Sequence, residues 1–268
     1  MPGVYRFLLS RRWAVITLVA LLLIPAMVRL GFWQLHRHEA RVARNALIAH
    51  NLKAPPVAFD SLSTPGFTVP GDLTWRRVTA VGTYDTAHEF VIRGRTEPGG
   101  SSIGYFVVTP LVLADGRGSV LVNRGWVESG ADATSYPVVA APPAGRVTAT
   151  GWMRADETTA SSGIRDRGGL PDRQFKLIDS TKQAGRTGAT VLGGYLELAS
   201  SVPAAGDSPT LLAEPNHSDI GPHMAYAVQW WLFAALVPVG LVVLARREEK
   251  ERAAALAAAA PVEELAAA

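Results

Sequence analysis

Two long apolar runs, one near each end of the chain, limit what this 268-residue sequence can fold into more than any other feature does. The first run begins at Trp13 and continues, past Arg29, to Trp33. About 21 residues of helix reach roughly 30 Å, the thickness of the hydrocarbon core of a bilayer. The second run covers residues 224–245 without a single charge. Each run therefore predicts a membrane-spanning helix.

Both runs have a second interpretation, which their flanking residues disfavour. Arg6, Arg11 and Arg12 precede the first run, as basic residues precede the apolar core of a secretory signal peptide. No small-residue cleavage site follows within the usual distance, so we expect an uncleaved anchor with interfacial tryptophans at its edges. A buried helix of a soluble protein is the alternative for the second run. The basic cluster that begins at Arg246 and closes this run is more typical of a membrane span.

The net charge of +3 and the pI near 9.4 do not indicate nucleic-acid binding, because the basic excess is confined to the N-terminal end. Residues 36–222 contain 18 Lys and Arg against 18 Asp and Glu, whereas residues 1–35 contain four arginines and no acid. Basic residues beside an apolar run are explained by membrane topology. We therefore expect the lipid bilayer, and no nucleic acid, among the partners.

The positive-inside rule places the basic cluster after the second run in the cytoplasm. Two spans return the chain to its starting side, so we expect both termini in the cytoplasm and the middle outside it, in a protein of the plasma membrane. The predicted organisation is a cytoplasmic N-terminus (1–12), a first span (13–35), an extracytoplasmic domain (36–222), a second span (223–245) and a cytoplasmic Ala-rich tail (246–268).

The middle of the chain predicts β structure, since short apolar runs alternate with clusters of Gly, Pro, Asp and Ser. Strands are expected at 76–84, 89–93, 105–113, 119–127, 146–153, 174–178 and 194–198. Residues 36–50 are expected to continue the first helix, 180–185 to form a short helix, and 129–145 and 155–172 to be loops. Asp156, Glu157, Asp166 and Asp172 are expected to be solvated turn charges. The predicted fold class is a membrane protein with two transmembrane helices flanking an extracytoplasmic, mainly antiparallel β domain, α+β overall.

The residues that enzymes use are sparse in this chain. It has no cysteine, which excludes disulfides, Cys-based metal sites and thiol chemistry. It also has no glycine-rich phosphate loop, no HExxH motif and no GxSxG motif. His36 and His38 stand two residues apart on a predicted helix and point to different sides, so they do not predict a metal site. We expect a protein that is not an enzyme, and a hydrolase assembled from distant Ser, His and Asp residues is the least favoured alternative.

Each run has residues that are unusual in a membrane span at the end expected to lie at the extracytoplasmic surface of the membrane. On the second run His223 and Trp230 are seven residues apart, so they share one helix face with Tyr226 between them. A neutral imidazole can ligate haem iron, and an indole on the same face can stack on a macrocycle. Arg37 or Arg29 of the first run could pair with haem propionates. The alternative is that the aromatic residues and His223 are interfacial anchors and that a glutamine at position 229 only bonds a neighbouring helix.

Four blocks of residues, in this order along the chain, resemble the Surfeit-locus family of cytochrome c oxidase assembly factors. They are LGFWQLHR at 30–37, RRV at 76–78 with GTY at 82–84, GYFVVTPL at 104–111 followed by VLVNRGWV at 120–127, and HMAYAVQW at 223–230. The resemblance covers about residues 13–247, and the NRGW and HxxYAxQW patterns are its most specific parts. Departures lie mostly in the loops 129–145 and 155–172 and in the tail.

The resemblance implies an assembly factor for haem-copper cytochrome c oxidase that binds haem a and assists its insertion into the catalytic subunit. It implies that His223 ligates the haem iron with Trp230 nearby, so the predicted cofactor-binding residues are His223, Trp230, Tyr226 and Arg37. The expected partners are the oxidase catalytic subunit and a haem a synthase. The alternative is an accessory scaffold of the oxidase that binds no haem. Arg124, Gly125 and Trp126 of the NRGW block are expected to serve folding, because Gly and Trp suit a bulge and a packed corner, with a ligand role as the alternative.

Overall fold

The computed structural model describes residues 9–258, apart from residues 131, 133 and 208. Residues 1–8 of the predicted N-terminal segment and residues 259–268 of the predicted tail therefore lie outside the described residues. The chain divides into two compact units. One contains the chain up to Arg44 and from Ser218, with both apolar runs, and the other is Asn45–His217.

The helices are α1 Arg11–Lys53, α2 Thr159–Ser162, α3 Ser180–Thr187 and α4 His223–Ala258. The most apolar windows of α1 and α4 have mean hydropathies of 2.3 and 2.1, and each is only 11% buried by protein. Length and composition thus suit both helices to a bilayer, where lipid would cover their side chains. Pro25 and Pro238 lie inside these helices, as membrane helices tolerate. The prediction of an α+β membrane protein with two spans is confirmed.

The second unit is built on eight strands: β1 Val57–Ala58, β2 Arg77–Tyr84, β3 Phe90–Thr96, β4 Ile103–Leu113, β5 Ser119–Glu128, β6 Val147–Arg154, β7 Gln174–Phe175 and β8 Val191–Val202. Five of them pair in the order β2-β6-β8-β5-β4, and residues 82–84 of β2 pair again with residues 111–113 of β4. The five strands therefore close into a ring without free edges, which is a small barrel. β1 pairs with β2 outside the ring, and β3 carries β7.

The inside of the ring is the main hydrophobic core. Alternate side chains of its strands point inward, as the burial pattern of β2 shows, and Phe59 packs into the same cluster. Eight residues in each of β4, β5 and β8 are buried, in runs that include both faces of the strand, because other elements cover their outer side. Buried members of the ring core include Val78, Ala80, Leu111, Val120, Val122, Val147, Ala149, Met153 and Leu196.

Most predicted strands form close to their expected bounds, but pairing partners changed the weaker ones. Strand β8 has 12 residues where five were expected, and β7 has two. The short elements β1 and α2 were not predicted at all. Three strand pairs are parallel, namely β1–β2, β3–β7 and β5–β8, and the other five are antiparallel. A strand's length depends on its neighbours in space, which local alternation does not reveal.

The prediction that Asp156 and Glu157 are solvated turn charges is wrong. Asp156 accepts hydrogen bonds from the Ser180 amide at 2.9 Å and the Ser180 hydroxyl at 2.5 Å, and burial raises its pKa. Glu157 accepts one from an Arg95 guanidinium nitrogen at 2.5 Å and another from the Ile178 amide at 2.9 Å. Both carboxylates therefore fix the start of α3 against the sheet, a role that their loop setting in sequence conceals.

The NRGW block forms a β-bulge in β5. The register to β4 shifts at this point, so that Arg124 lies opposite no residue of that strand. Gly125 has φ +128°, and a Cβ there would lie 2.5 Å from the Thr210 carbonyl oxygen, so only glycine fits. The Trp126 indole donates to the Arg95 carbonyl at 2.9 Å. The expected bulge and packed corner are confirmed, because these residues are held by backbone and side chains of their own domain.

Arg124 forms a buried ion pair in this corner. Its guanidinium donates to Glu89 at 2.9 Å and to the Ala140 carbonyl at 2.7 Å, and Thr109 donates to the same Glu89 oxygen at 2.8 Å. The Arg124 and Glu89 side chains are 3% and 11% exposed. A buried pair stabilises little when it replaces apolar packing, but the loss of one partner leaves an uncompensated charge.

Tyr84, at the end of β2, is a buried phenol whose hydroxyl has no hydrogen-bond partner among the described residues. Burial raises the pKa of Tyr84 to about 12, and the nearby Arg124 guanidinium partly opposes that shift. Burial raises the pKa of Tyr136 and Tyr195 in the same direction. The folded domain is therefore expected to resist ionisation of its tyrosines.

We expect Arg124→Met to lower the free energy of unfolding by about 3–5 kcal/mol, because Glu89 would remain buried without its counter-charge. Arg77→Met, at an exposed position of β2, is the matched control and should cost no more than about 0.5 kcal/mol. Urea unfolding of the full chain in detergent, followed by circular dichroism, measures both. The double variant Arg124→Met/Glu89→Leu should regain much of the loss. Equal stability of Arg124→Met and Arg77→Met would contradict a supporting role for the Arg124–Glu89 pair.

The raised pKa of Tyr84 predicts alkaline destabilisation with a definite sign. The contribution is fully present below the unfolded pKa of 10.0 and is lost as the pH rises through about 12. At pH 11 the loss from this residue is about 1.4 kcal/mol. Tyr84→Phe removes no hydrogen bond, so it should be near neutral at pH 7 and about 1.4 kcal/mol less destabilised than the native chain at pH 11. Urea unfolding at both pH values measures this, and the same difference at both would refute it.

Candidate functional site

The first unit pairs α1 with α4 through small residues. The buried residues of α4 are Ala227 and Ala234, seven positions apart, and those of α1 include Ala20 and Gly31. Lipid tails are as apolar as leucine, so membrane helices associate where small side chains let their backbones approach. Small buried residues are what such a pairing favours, and close contact with α4 is seen at Gly31.

The tightest contact is between Gly31 and Trp231. A Cβ at Gly31 would lie 2.1 Å from the Trp231 indole nitrogen, which means that the ring occupies the space of the missing side chain. The same indole nitrogen donates to the Val28 carbonyl at 3.4 Å, and Phe32 meets the ring edge-on at a centroid distance of 5.4 Å. The position and rotation of α4 against α1 are thereby fixed about two turns along α4 from His223 and about one turn along α1 from Gln34.

His223 is the first residue of α4 and lies half-buried against α1. Its Nδ1 is 3.0 Å from Oε1 of Gln34, a hydrogen bond between residues 189 positions apart in sequence. Within the described part of the chain, Nε2 of this imidazole has no hydrogen-bond partner. One ring nitrogen is therefore held by Gln34, and which of the two nitrogens carries the proton depends on the tautomer.

The aromatic residues of the predicted site are placed differently from each other. Trp230 is half-buried and meets Phe233 edge-on, with 6.2 Å between centroids. Tyr226 is 47% exposed and lies on the flank of the face that α4 turns to α1.

The residue at 229 is exposed and, among the described residues, makes no hydrogen bond to the other helix. Gln34 is the glutamine that bonds across the pair, and its amide in an otherwise apolar stretch was the signal that could have found it.

Arg37 stacks on its own helix. Its guanidinium carbon lies 5.0 Å from the centroid of the Trp33 ring, and the side chain is exposed. No contact within the described residues joins it to His223, Tyr226 or Trp230. The four predicted residues are thus not assembled into one contact network. The same end of the helix pair also holds a loose ion pair, 3.7 Å between Arg41 and Asp219.

A cavity of about 280 Å³ in the barrel domain brings Asp85, His88 and Ser119 to one lining. His88 Nδ1 is 2.6 Å from Asp85, as in a catalytic triad. The Ser119 hydroxyl instead donates to the Thr190 carbonyl at 3.2 Å, and across the described ranges no hydrogen bond joins it to His88. The nucleophile–base contact that a hydrolase needs is therefore missing from this trio. No group of three or more metal-binding side chains occurs in the described part of the chain.

Comparison with known proteins identifies the family. The model of the SURF1 family matches residues 21–235, which include the whole barrel domain, the paired ends of α1 and α4, and His223. An uncharacterized SURF1-like protein of Mycobacterium bovis is 31% identical over 243 residues, covering 88% of this chain and 84% of the relative. A SURF1-like protein of Monosiga brevicollis is 26% identical over 240 residues, covering 85% and 87%. Surfeit locus protein 1 of Arabidopsis thaliana is 30% identical over 116 residues, covering 40% and 32%.

The contact between Gly31 and Trp231 predicts that an added methyl group separates the two helices. We expect Gly31→Ala to destabilise the chain by about 1–3 kcal/mol, as overpacking of a close contact does. Gly240→Ala is the matched control, because a Cβ at Gly240 of α4 meets nothing within 4 Å. Thermal unfolding in detergent compares the two variants. A Gly31→Ala chain that melts with Gly240→Ala would show that the indole yields without cost.

Proposed function

The chain belongs to the SURF1 family of cytochrome oxidase assembly factors, and we propose that its part in assembly is to bind haem a and pass it to the oxidase catalytic subunit. The family is generally non-enzymatic. Holding and releasing a cofactor requires binding groups but no nucleophile, which agrees with the arrangement of Ser119 and His88. In this proposal haem a is cargo, and it supplies the redox chemistry only after it reaches the oxidase.

The hydrogen bond between Nδ1 of His223 and Gln34 is the single observation that carries the proposal. A neutral imidazole bonded through Nδ1 offers the Nε2 lone pair to iron, and metal-binding histidines commonly have such a partner on the other nitrogen. His223 is the first residue of α4, at the end of an apolar helix. A macrocycle bound there would contact apolar side chains on one side and polar groups on the other. His223 is therefore proposed as the residue that would hold the haem iron, through Nε2.

The other predicted residues suit the periphery of such a ligand. Trp230 offers an indole on the His223 face of α4, and Tyr226 offers an exposed phenol beside it. Arg37 presents an exposed guanidinium that could pair with a propionate, provided that it leaves its stacking on Trp33. These residues are proposed to contact the cargo, not to ligate it.

We propose a plasma-membrane orientation with both termini in the cytoplasm and the barrel domain outside. The basic cluster that follows the α4 apolar run supports this direction through the positive-inside rule. His223 would then lie at the outer surface of the membrane. A haem a synthase is the proposed donor and the oxidase catalytic subunit the proposed acceptor.

We expect His223→Ala to abolish co-purification of haem a when the chain is expressed with a haem a synthase, because the only proposed iron ligand is removed. His36→Ala is the matched control, since His36 is an exposed imidazole on α1 near the same end of the pair. The pyridine haemochrome spectrum measures haem a per folded protein.

Unchanged haem content in His223→Ala would refute the ligand assignment. A native chain that stays colourless yet co-purifies with the oxidase at fixed stoichiometry would favour a scaffold function instead. Loss of haem in both histidine variants would show that the effect is not specific to His223.

A further inference from the structure

A hydrogen bond between Gln34 of α1 and His223 of α4 joins the two helices at the proposed site. The Gln34 atom that takes part in it determines which imidazole nitrogen of His223 is protonated. We infer that Gln34 is a positioning residue: its amide oxygen accepts the Nδ1 proton of His223 and so fixes the tautomer in which Nε2 is free for a metal. The distance is 3.0 Å between Nδ1 and Oε1. The role for metal binding rests on the proposed function, whereas the tautomer itself does not.

The inference follows from what each atom can do. An amide oxygen only accepts hydrogen bonds, so Nδ1 must carry a proton when it bonds Oε1. A neutral imidazole carries one proton, and Nε2 is then an unprotonated lone pair. If the amide were reversed, its NH₂ group would donate to Nδ1 and the proton would sit on Nε2, which would prevent ligation. The orientation of the Gln34 amide therefore selects between a competent and an incompetent histidine.

The surroundings make this bond effective. Gln34 is half-buried near the end of the apolar run of α1, three residues after Gly31 and two before His36, and among the described residues His223 is the hydrogen-bond partner of its side chain. A hydrogen bond to a metal-binding histidine orients the ring and raises its basicity. The same bond also joins the two helices, so a purely structural role must be separated from a positioning role by experiment.

The tautomer can be measured without haem. The full chain, labelled with ¹⁵N in histidine and held in detergent at pH 8.5, gives imidazole nitrogen shifts, and His223→Ala assigns the signal. We expect a protonated Nδ1 and an unprotonated Nε2 in the native chain, and loss of that preference in Gln34→Leu. Gln229→Leu, which removes an exposed amide from α4, should leave the signal unchanged. A protonated Nε2 in the native chain, or no change in Gln34→Leu, would overturn the inference.

A haem a titration then tests the consequence for binding. Gln34→Leu should weaken affinity by about 10- to 100-fold, and Gln34→Glu should retain affinity and lower the reduction potential of the bound haem, because a carboxylate is a stronger acceptor. Gln229→Leu should match the native chain. A structural role alone would lower the melting temperature of Gln34→Leu without moving affinity or potential, and that result would overturn the positioning role while haem binding by the native chain stood. Failure of the native chain to bind haem would refute the proposed function and its metal-binding consequence, leaving the tautomer to the nitrogen shifts.

Discussion

The close approach of α1 and α4 at Gly31 is the contact on which the candidate site depends. In a bilayer the hydrophobic effect does not hold two apolar helices together, so packing and a few polar bonds must do so. The Trp231 ring fills the space above Gly31, and this fixes both the separation and the rotation of α4. His223 on α4 and Gln34 on α1 lie on the same side of this contact along the antiparallel pair, and their side chains meet there at 3.0 Å.

The barrel domain is under a different constraint, which is that its sheet must not expose unpaired strand edges. Five strands close on themselves, and the bulge at Arg124 bends β5 where the ring must turn. The bulge also turns a charged side chain inward, and Glu89 supplies the carboxylate that this requires. The most specific sequence block of this domain therefore serves closure of the sheet, and a ligand is not needed to explain it.

Local patterns predicted the spans and the strongest strands, because apolar length and alternation are properties of a single segment. They failed where the deciding partner is distant in sequence. The full length of β8 depends on its pairing with β5 and β6, and Asp156 is half-buried and hydrogen-bonded because α3 starts beside it. At the candidate site His223 was predicted from its own segment, whereas its bond to Gln34 crosses 189 residues and had no local signature beyond an amide among apolar residues.

In the helix pair, apolar and polar side chains have different roles. Residues without polar atoms, such as Ala227, Ala234 and Gly31, set the geometry, and one amide then acts on an imidazole whose place is already fixed. Among the described residues, the hydrogen bond between His223 Nδ1 and Gln34 is the polar contact of this pair nearest to the start of α4. It restrains the orientation of the imidazole ring, and a hydrogen bond of this kind is what the proposed ligand role of His223 requires.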